Sequence, residues 1–247
     1  MAKEQGVTGP ADAKALRGIR QLALTAASGV RIDVHLLAFD LDSFSFADFA
    51  ASGIACPPSV ERSVPKRQAE FYFGRLAARR ALDTLGISPG DVGIGAWRQP
   101  LWPTGIVGSI SHTRSEAAAV VMRQGECHGI GIDLEPIAGL EACAALSGTV
   151  IDADELTYLQ GVAGSLSIAT LLTLAFSAKE SLFKAAFNTV GRYFDFSAAR
   201  IRELDQGRGI ITLQLAENLC DTFTYGRACE IGFCFVGPGV VMTYYLW

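Results

Sequence analysis

The chain has 247 residues, half of them hydrophobic, and a net charge of -4. That is enough apolar material for a substantial core, as one large domain or two small lobes. A charged fraction of 19% excludes the disordered class, and the acidic sum argues against general nucleic-acid binding, so any recognition by charge has to come from local patches.

The six cysteines form no C-x-x-C pair, and only three histidines accompany them. A zinc site is therefore disfavoured, and the cysteines read as reduced, mostly buried side chains of a cytoplasmic protein. No basic start with an apolar run follows the pattern of a secretion signal, and no run reaches the length of a membrane span.

Residues 1–29 are rich in Ala, Gly and Gln, which predicts a loose start with a short helix over about 13–23. Residues 30–36 alternate apolar and polar and predict a half-buried strand, with His35 on its solvated polar face. After Pro57-Pro58, Ser63-Val64-Pro65 reads as an N-cap with an early-turn proline. The helix that follows should reach about Leu85, stop at Gly86, and bury Ala69, Phe73, Leu76, Ala77 and Leu85. Arg75 and Arg79, four apart, project together from another face. Between Glu61 and Arg80 six basic and two acidic residues give a local +4. That run suits either a solvated helix face or an anion site.

Trp97-Arg98-Gln99-Pro100-Leu101-Trp102-Pro103 predicts a stiff aromatic loop. Strands are expected over 107–111, 117–123 and 128–134, a long helix over about 165–187, and late strands near 210–215, 228–235 and 240–247. Strands and helices come in blocks, not in regular alternation, so the class is α+β and not a doubly wound sheet. Each half carries a long helix beside strands. A hinge at 124–127 divides an N-terminal lobe, 1–127, from a C-terminal lobe, 128–247.

Two segments carry chemistry. In Gly129-Ile130-Gly131-Ile132-Asp133-Leu134-Glu135, the carboxylates of Asp133 and Glu135 are two apart and so share one face of a strand. Adjacent acids repel unless a cation or solvent relieves them, and magnesium prefers such hard oxygen donors. Two solvated acids at a strand end are the plain alternative. In Phe176-Ser177-Ala178-Lys179-Glu180-Ser181-Leu182-Phe183-Lys184, Glu180 and Lys184 are an i, i+4 pair on a helix. They read either as a surface ion pair or as a third ligand or base with a phosphate-balancing lysine, Lys179 adding a second. A capping box from Ser177 to Glu180 is excluded because 171–176 already reads as helix. Gly108-Ser109-Ile110-Ser111-His112-Thr113 offers a histidine that suits a phosphate contact or an ordinary strand end.

Taken in order, five pieces resemble the 4′-phosphopantetheinyl transferases, in the larger monomeric class that activates siderophore, non-ribosomal peptide and polyketide synthetases. They are Lys66-Arg67-Gln68-Ala69-Glu70-Phe71 with Gly74-Arg75, then 98–103, 108–112, 131–135 and 176–184, with Gly191 to Phe196 trailing the last. The resemblance implies two similar α+β lobes about a pseudo-two-fold axis, each a small antiparallel sheet with a long helix, and an active site in the cleft between them. It implies magnesium, with manganese as an alternative, held by Asp133, Glu135 and Glu180. Glu180 doubles as the base for the attacking serine, and Lys184 meets the pyrophosphate. Lys179, His112, Arg67 and Arg75 are implied as phosphate contacts, with Ser111 and Arg98 from more variable loops. Coenzyme A is the implied co-substrate and an apo acyl- or peptidyl-carrier domain the acceptor. A magnesium-dependent phosphohydrolase and a non-catalytic coenzyme A-binding module are the competing readings.

Overall fold

The computed structural model describes residues 14–87 and 92–247; the part of the expected loose start before residue 14 lies outside them. The chain divides into two compact units. The first takes the described residues up to Leu24 with Arg31–Glu126, and the second takes Thr25–Val30 with Cys127–Trp247. The division expected at 127 did not separate out Thr25–Val30, which groups with the second unit.

The first unit runs β1 (Leu16–Thr25), β2 (Arg31–Phe39), α1 (Ala47–Ser52), α2 (Pro58–Glu61), α3 (Pro65–Thr84), β3 (Gly93–Ile94), β4 (Pro100–Leu101), β5 (Ile106–His112) and β6 (Glu116–Arg123). Its main sheet has the order β1-β2-β6-β5, and β3 pairs with β4 in a small hairpin. Helix α3 lies on the main sheet and buries a stripe that includes Ala69, Phe73 and Ala77. Pro65 stands at its first turn, where a missing N–H costs nothing. Gly86, at φ 69°, turns the chain out of it. Val64, not Ser63, is the N-cap; the Ser63 hydroxyl donates to Val60 O at 2.6 Å instead.

Two expectations fail in this unit. The short helix over 13–23 is the edge strand β1: from Gln21 to Thr25 exposure alternates residue by residue, and pairing to β2 outweighs the helix preference of its Leu, Ala and Arg residues. His35 is not solvated but 7% exposed. Its strand is interior to the sheet, and Leu37 and Phe39, two and four residues on, enter the core that α3 covers. Burial holds its imidazole below the ordinary value of 6.5, aided by Arg80 and opposed by Asp33 and Asp83.

The second unit runs β7 (Ile130–Pro136), α4 (Leu140–Thr149), α5 (Ala153–Gly161), α6 (Ile168–Val190), β8 (Ala199–Asp205), β9 (Ile210–Leu215), β10 (Ala228–Gly237) and β11 (Val240–Leu246). The sheet order is β7-β11-β10-β9-β8, with each neighbouring pair antiparallel. Helix α6 starts at Ser167, whose side chain accepts from the Thr170 N–H, and ends at Gly191 in the left-handed region. Its inner face is apolar through Leu171, Leu174, Ala175, Ala178 and Leu182. Hydroxyls pin it to β11: Thr243 Oγ1 lies 2.9 Å from Ser177 Oγ and 2.7 Å from Ser181 Oγ. Ser177 is thus inside the helix, as the exclusion of a capping box required. The fold is α+β with antiparallel sheets.

The pattern Gly129-Ile-Gly131 has a packing reason. A Cβ on Gly131 would collide with Ser181 O, and one on Gly129 with Ala185 O, both backbone atoms of α6. Glycine on this side of the strand lets helix and strand approach backbone to backbone. Ile130, Ile132 and Leu134, on the opposite side, are at most 2% exposed.

Gly131→Val should therefore force α6 off β7 and cost at least about 3 kcal/mol, at the upper end of overpacking penalties; denaturant unfolding monitored by circular dichroism measures it. A second outcome concerns pH. Unfolded His35 protonates near 6.5, whereas the folded ring stays neutral to lower pH. The stability linked to this site is thus fully present above about pH 6.5 and lost as pH falls through the lowered folded value. Melting temperatures taken from about pH 8 down to about pH 5 should fall more steeply in the native chain than in His35→Leu.

Candidate active site

On β7 the side that carries Gly131, in line with Gly129 just before the strand, also carries Asp133 and Glu135, by strand alternation. The glycines bring α6 against this side, so the two carboxylates meet the helix where Glu180 and Lys184 project. Lys184 Nζ donates to Asp133 Oδ1 at 2.7 Å and to Ile132 O at 3.2 Å. Asp133 is 2% exposed and Glu135 and Glu180 are half-buried.

Electrostatics tie the four groups together. Burial pushes the Glu135 carboxyl up to about 7; Asp133 and Glu180 push the same way and Lys184 opposes them. Glu180 is likewise raised, first by burial and then by Asp133, against the pull of Lys184. Burial is thus the main cause for Glu135 and Glu180, and the neighbouring acids add to it against the single lysine.

This donor set fits a divalent cation such as magnesium by its chemistry: hard carboxylate oxygens, partly desolvated and short of positive charge. Among the described residues no group of three or more His, Cys, Asp and Glu side chains closes into a ready cage.

Lys179 goes elsewhere. Its ammonium, 2% exposed, donates to Val150 O at 2.7 Å and pairs with Glu155 at 3.0 Å. Burial lowers its pKa and Glu155 raises it. Glu155 is fully engaged: it accepts from Asp152 N–H within a capping box, and from Ile201 N–H at 2.7 Å, beside a register shift in the β8–β9 ladder. Instead of standing free as a phosphate contact, Lys179 is a structural cation that locks α6 to α5 and β8. The sequence reading missed Glu155, although Asp152-x-x-Glu155 carries the capping-box signal; its second task as counter-ion leaves no local trace. Beside Glu180, a cavity of about 580 Å³ is lined by Lys179, Phe183 and the segment Tyr193 to Phe196.

In the first unit, Arg67, Arg75, Arg98 and His112 line one pocket of about 350 Å³. His112 ends β5, and Gly74 lets α3 close on that strand, since a Cβ there would lie 3.0 Å from Ile110. Arg98 sits at φ 66° in the turn between β3 and β4, a left-handed conformation uncommon outside glycine. Arg75 edges the pocket, but its guanidinium donates to Val92 O and Gly93 O and lies over the Phe71 ring. Arg79 donates to Ser52 O and Gly53 O and does not line the pocket. The pair read as projecting together thus braces the backbone at two places. Ser111, 4% exposed, alternates to the other side of β5 from His112 and is not among the lining residues.

Comparison with known proteins bears on both sites. A model of the 4′-phosphopantetheinyl transferase N-terminal domain matches residues 57–122, and one of the 4′-phosphopantetheinyl transferase superfamily matches residues 129–231. The chain is 40% identical over 172 residues to enterobactin synthase component D of Salmonella typhi, which covers 70% of this chain and 69% of that protein. The chain belongs to the 4′-phosphopantetheinyl transferase superfamily. It is also 37% identical over 156 residues to 4′-phosphopantetheinyl transferase Svp of Streptomyces mobaraensis (63% of this chain, 62% of that one). With 4′-phosphopantetheinyl transferase PptT of Mycobacterium tuberculosis the identity is 35% over 144 residues, 58% of this chain and 62% of that one. It is an enzyme, and its reaction is transfer of the phosphopantetheinyl group to carrier proteins, with coenzyme A the family's substrate.

The buried pair offers a stability test. Glu155→Ala leaves Lys179 buried without its carboxylate and should cost about 3–5 kcal/mol. The double variant Glu155→Leu with Lys179→Met should recover most of that loss in urea titrations.

Proposed function

We propose that the chain transfers 4′-phosphopantetheine from coenzyme A to a serine of an apo acyl- or peptidyl-carrier domain, with Asp133, Glu135 and Glu180 holding magnesium. The observation that supports these roles most is the cluster of three interacting acids around Lys184. Bound there, magnesium would neutralise charge on the pyrophosphate.

Each residue has a task in this reading. The Glu180 carboxylate accepts the proton of the carrier serine. The serine oxygen bonds to the β-phosphorus of coenzyme A, the bond from that phosphorus to the bridging oxygen breaks, and adenosine 3′,5′-bisphosphate leaves. Lys184, already turned to Asp133, donates to the departing phosphate. Arg67, Arg98 and His112 take the phosphates at the nucleotide end. Manganese would suit the same oxygen donors.

The finer architecture belongs to this proposal too. Each unit has an antiparallel sheet with one long helix packed on it, α3 in the first and α6 in the second, which supports two similar lobes serving one substrate. We read the enzyme as a cytoplasmic monomer. Its six cysteines are all free thiols, and among the described residues no helix is long and apolar enough to cross a membrane. The relatives named for enterobactin synthase point to carriers of siderophore or non-ribosomal peptide assembly as acceptors.

The test is incubation with coenzyme A, magnesium and several apo-carrier domains. The expected result is a carrier heavier by one phosphopantetheine, by mass spectrometry; release of phosphate without a carrier would favour a hydrolase instead. Glu180→Ala and Asp133→Ala should each lower kcat by roughly 100-fold or more, the scale of a lost base or charge partner. Full activity in either variant removes that residue from the mechanism.

A further inference from the structure

The phosphate pocket of the first unit contains an acid. Glu70, on α3, lines it together with Arg67, Arg98 and His112. Its side chain is only 12% exposed, whereas Arg67 is 46% and Lys66 59% exposed. An acid withdrawn into a pocket for anions works against the ligand, so its presence calls for a reason.

The contacts supply one. Glu70 Oε2 lies 3.6 Å from Arg67 Nη1 and 3.9 Å from His112 Nδ1. Arg67 Nη1 lies 3.2 Å from His112 Nε2. A guanidinium can only donate, so Nε2 is the accepting nitrogen of a neutral ring and Nδ1 carries the proton. The order is therefore Arg67 donating to His112, with the Glu70 carboxylate close to both but bonded to neither. Both approaches to the carboxylate exceed hydrogen-bond length, as does the 3.7 Å to Lys66. A phosphate oxygen approaches a guanidinium at about 2.8 Å, so it can displace so loose a partner.

We propose that Glu70 is a built-in counter-anion of this pocket, a positioning residue that aims Arg67 and His112 and competes with the nucleotide's 3′-phosphate for them. Its charge caps the affinity for that phosphate and so favours release of the bisphosphate product. The inference rests on the nucleotide reading of this pocket given above.

Glu70→Gln separates charge from position, because the amide keeps the size and polarity of the side chain beside His112 and Arg67 while the negative charge is gone. The experiment is calorimetry of adenosine 3′,5′-bisphosphate and of adenosine 5′-monophosphate against the full chain and against Glu70→Gln, Glu70→Ala and Arg67→Ala. The expected result is bisphosphate binding tightened on the order of fivefold in Glu70→Gln, the scale of one charge interaction across a solvated pocket. Monophosphate binding should hold, and Glu70→Ala should gain less because it also loses the alignment. The KM for coenzyme A should fall with the Kd, where a merely structural role would raise it. Unchanged or weaker bisphosphate binding in Glu70→Gln, with Arg67→Ala still impaired, overturns the inference alone. Equal tightening of both nucleotides overturns its selectivity for the 3′-phosphate. Bisphosphate binding indifferent to Arg67→Ala overturns the assignment of the pocket and the inference with it.

Discussion

The backbone-to-backbone approach of α6 to β7 is the constraint on which the acidic site depends. Gly129 and Gly131 leave no side chain between the strand and the carbonyls of Ser181 and Ala185. A β-carbon at either place would move the helix outward, and Lys184 would no longer reach Asp133. The same two-residue period that puts the glycines under the helix puts Asp133 and Glu135 on that side as well. Packing and chemistry are therefore written in one alternating stretch. Gly74 in the first unit is a milder case: a Cβ there would lie 3.0 Å from an Ile110 side-chain methyl and not against backbone.

Consecutive residues of α6 serve different ends because the helix turns about 100° per residue. Lys179 points into a buried pair with Glu155, while Glu180 faces the acids on β7 and an adjoining cavity. A buried ion pair adds little net stability over an apolar pair of like volume. Its value here is directional: Glu155 reaches the start of α5, the bulged β8 and Lys179 at once. Three elements are thus referenced to the residue that precedes Glu180, and the helix has little freedom to rotate about its axis.

The legible parts of the sequence were those where one local pattern decided the outcome. The strands near 210–215 and 240–247, the stop of α3 at Gly86 and the unbroken α6 all rest on periodicity or glycine geometry, and β9 falls on 210–215. Among the described residues, β1 was illegible because its Leu, Ala and Arg content favours a helix and only the neighbouring strand makes it extended. His35 was misjudged because alternation says which side a residue takes, not whether that side is covered. The acids could be grouped from sequence, since strand and helix periods fix which residues share a face. Fates set by distant partners could not: Lys179 with Glu155, and Arg75 with the carbonyls of Val92 and Gly93.

The two candidate sites are opposite in local charge. In the first, Arg67, Arg98 and His112 present positive or donor groups directly, with Glu70 as the single opposing charge. In the second, three acids outnumber one lysine, and Glu135 is raised to about 7 first by burial and then by its acidic neighbours. A pyrophosphate would be repelled by such a cluster unless positive charge came with it. Under the proposed function the acids would serve a divalent cation that arrives with its phosphate, while the arginine pocket would need no intermediary. That difference also accounts for the division of lysines. Lys184 stays at the acids, where it donates to Asp133, and Lys179 holds Glu155 and the Val150 carbonyl.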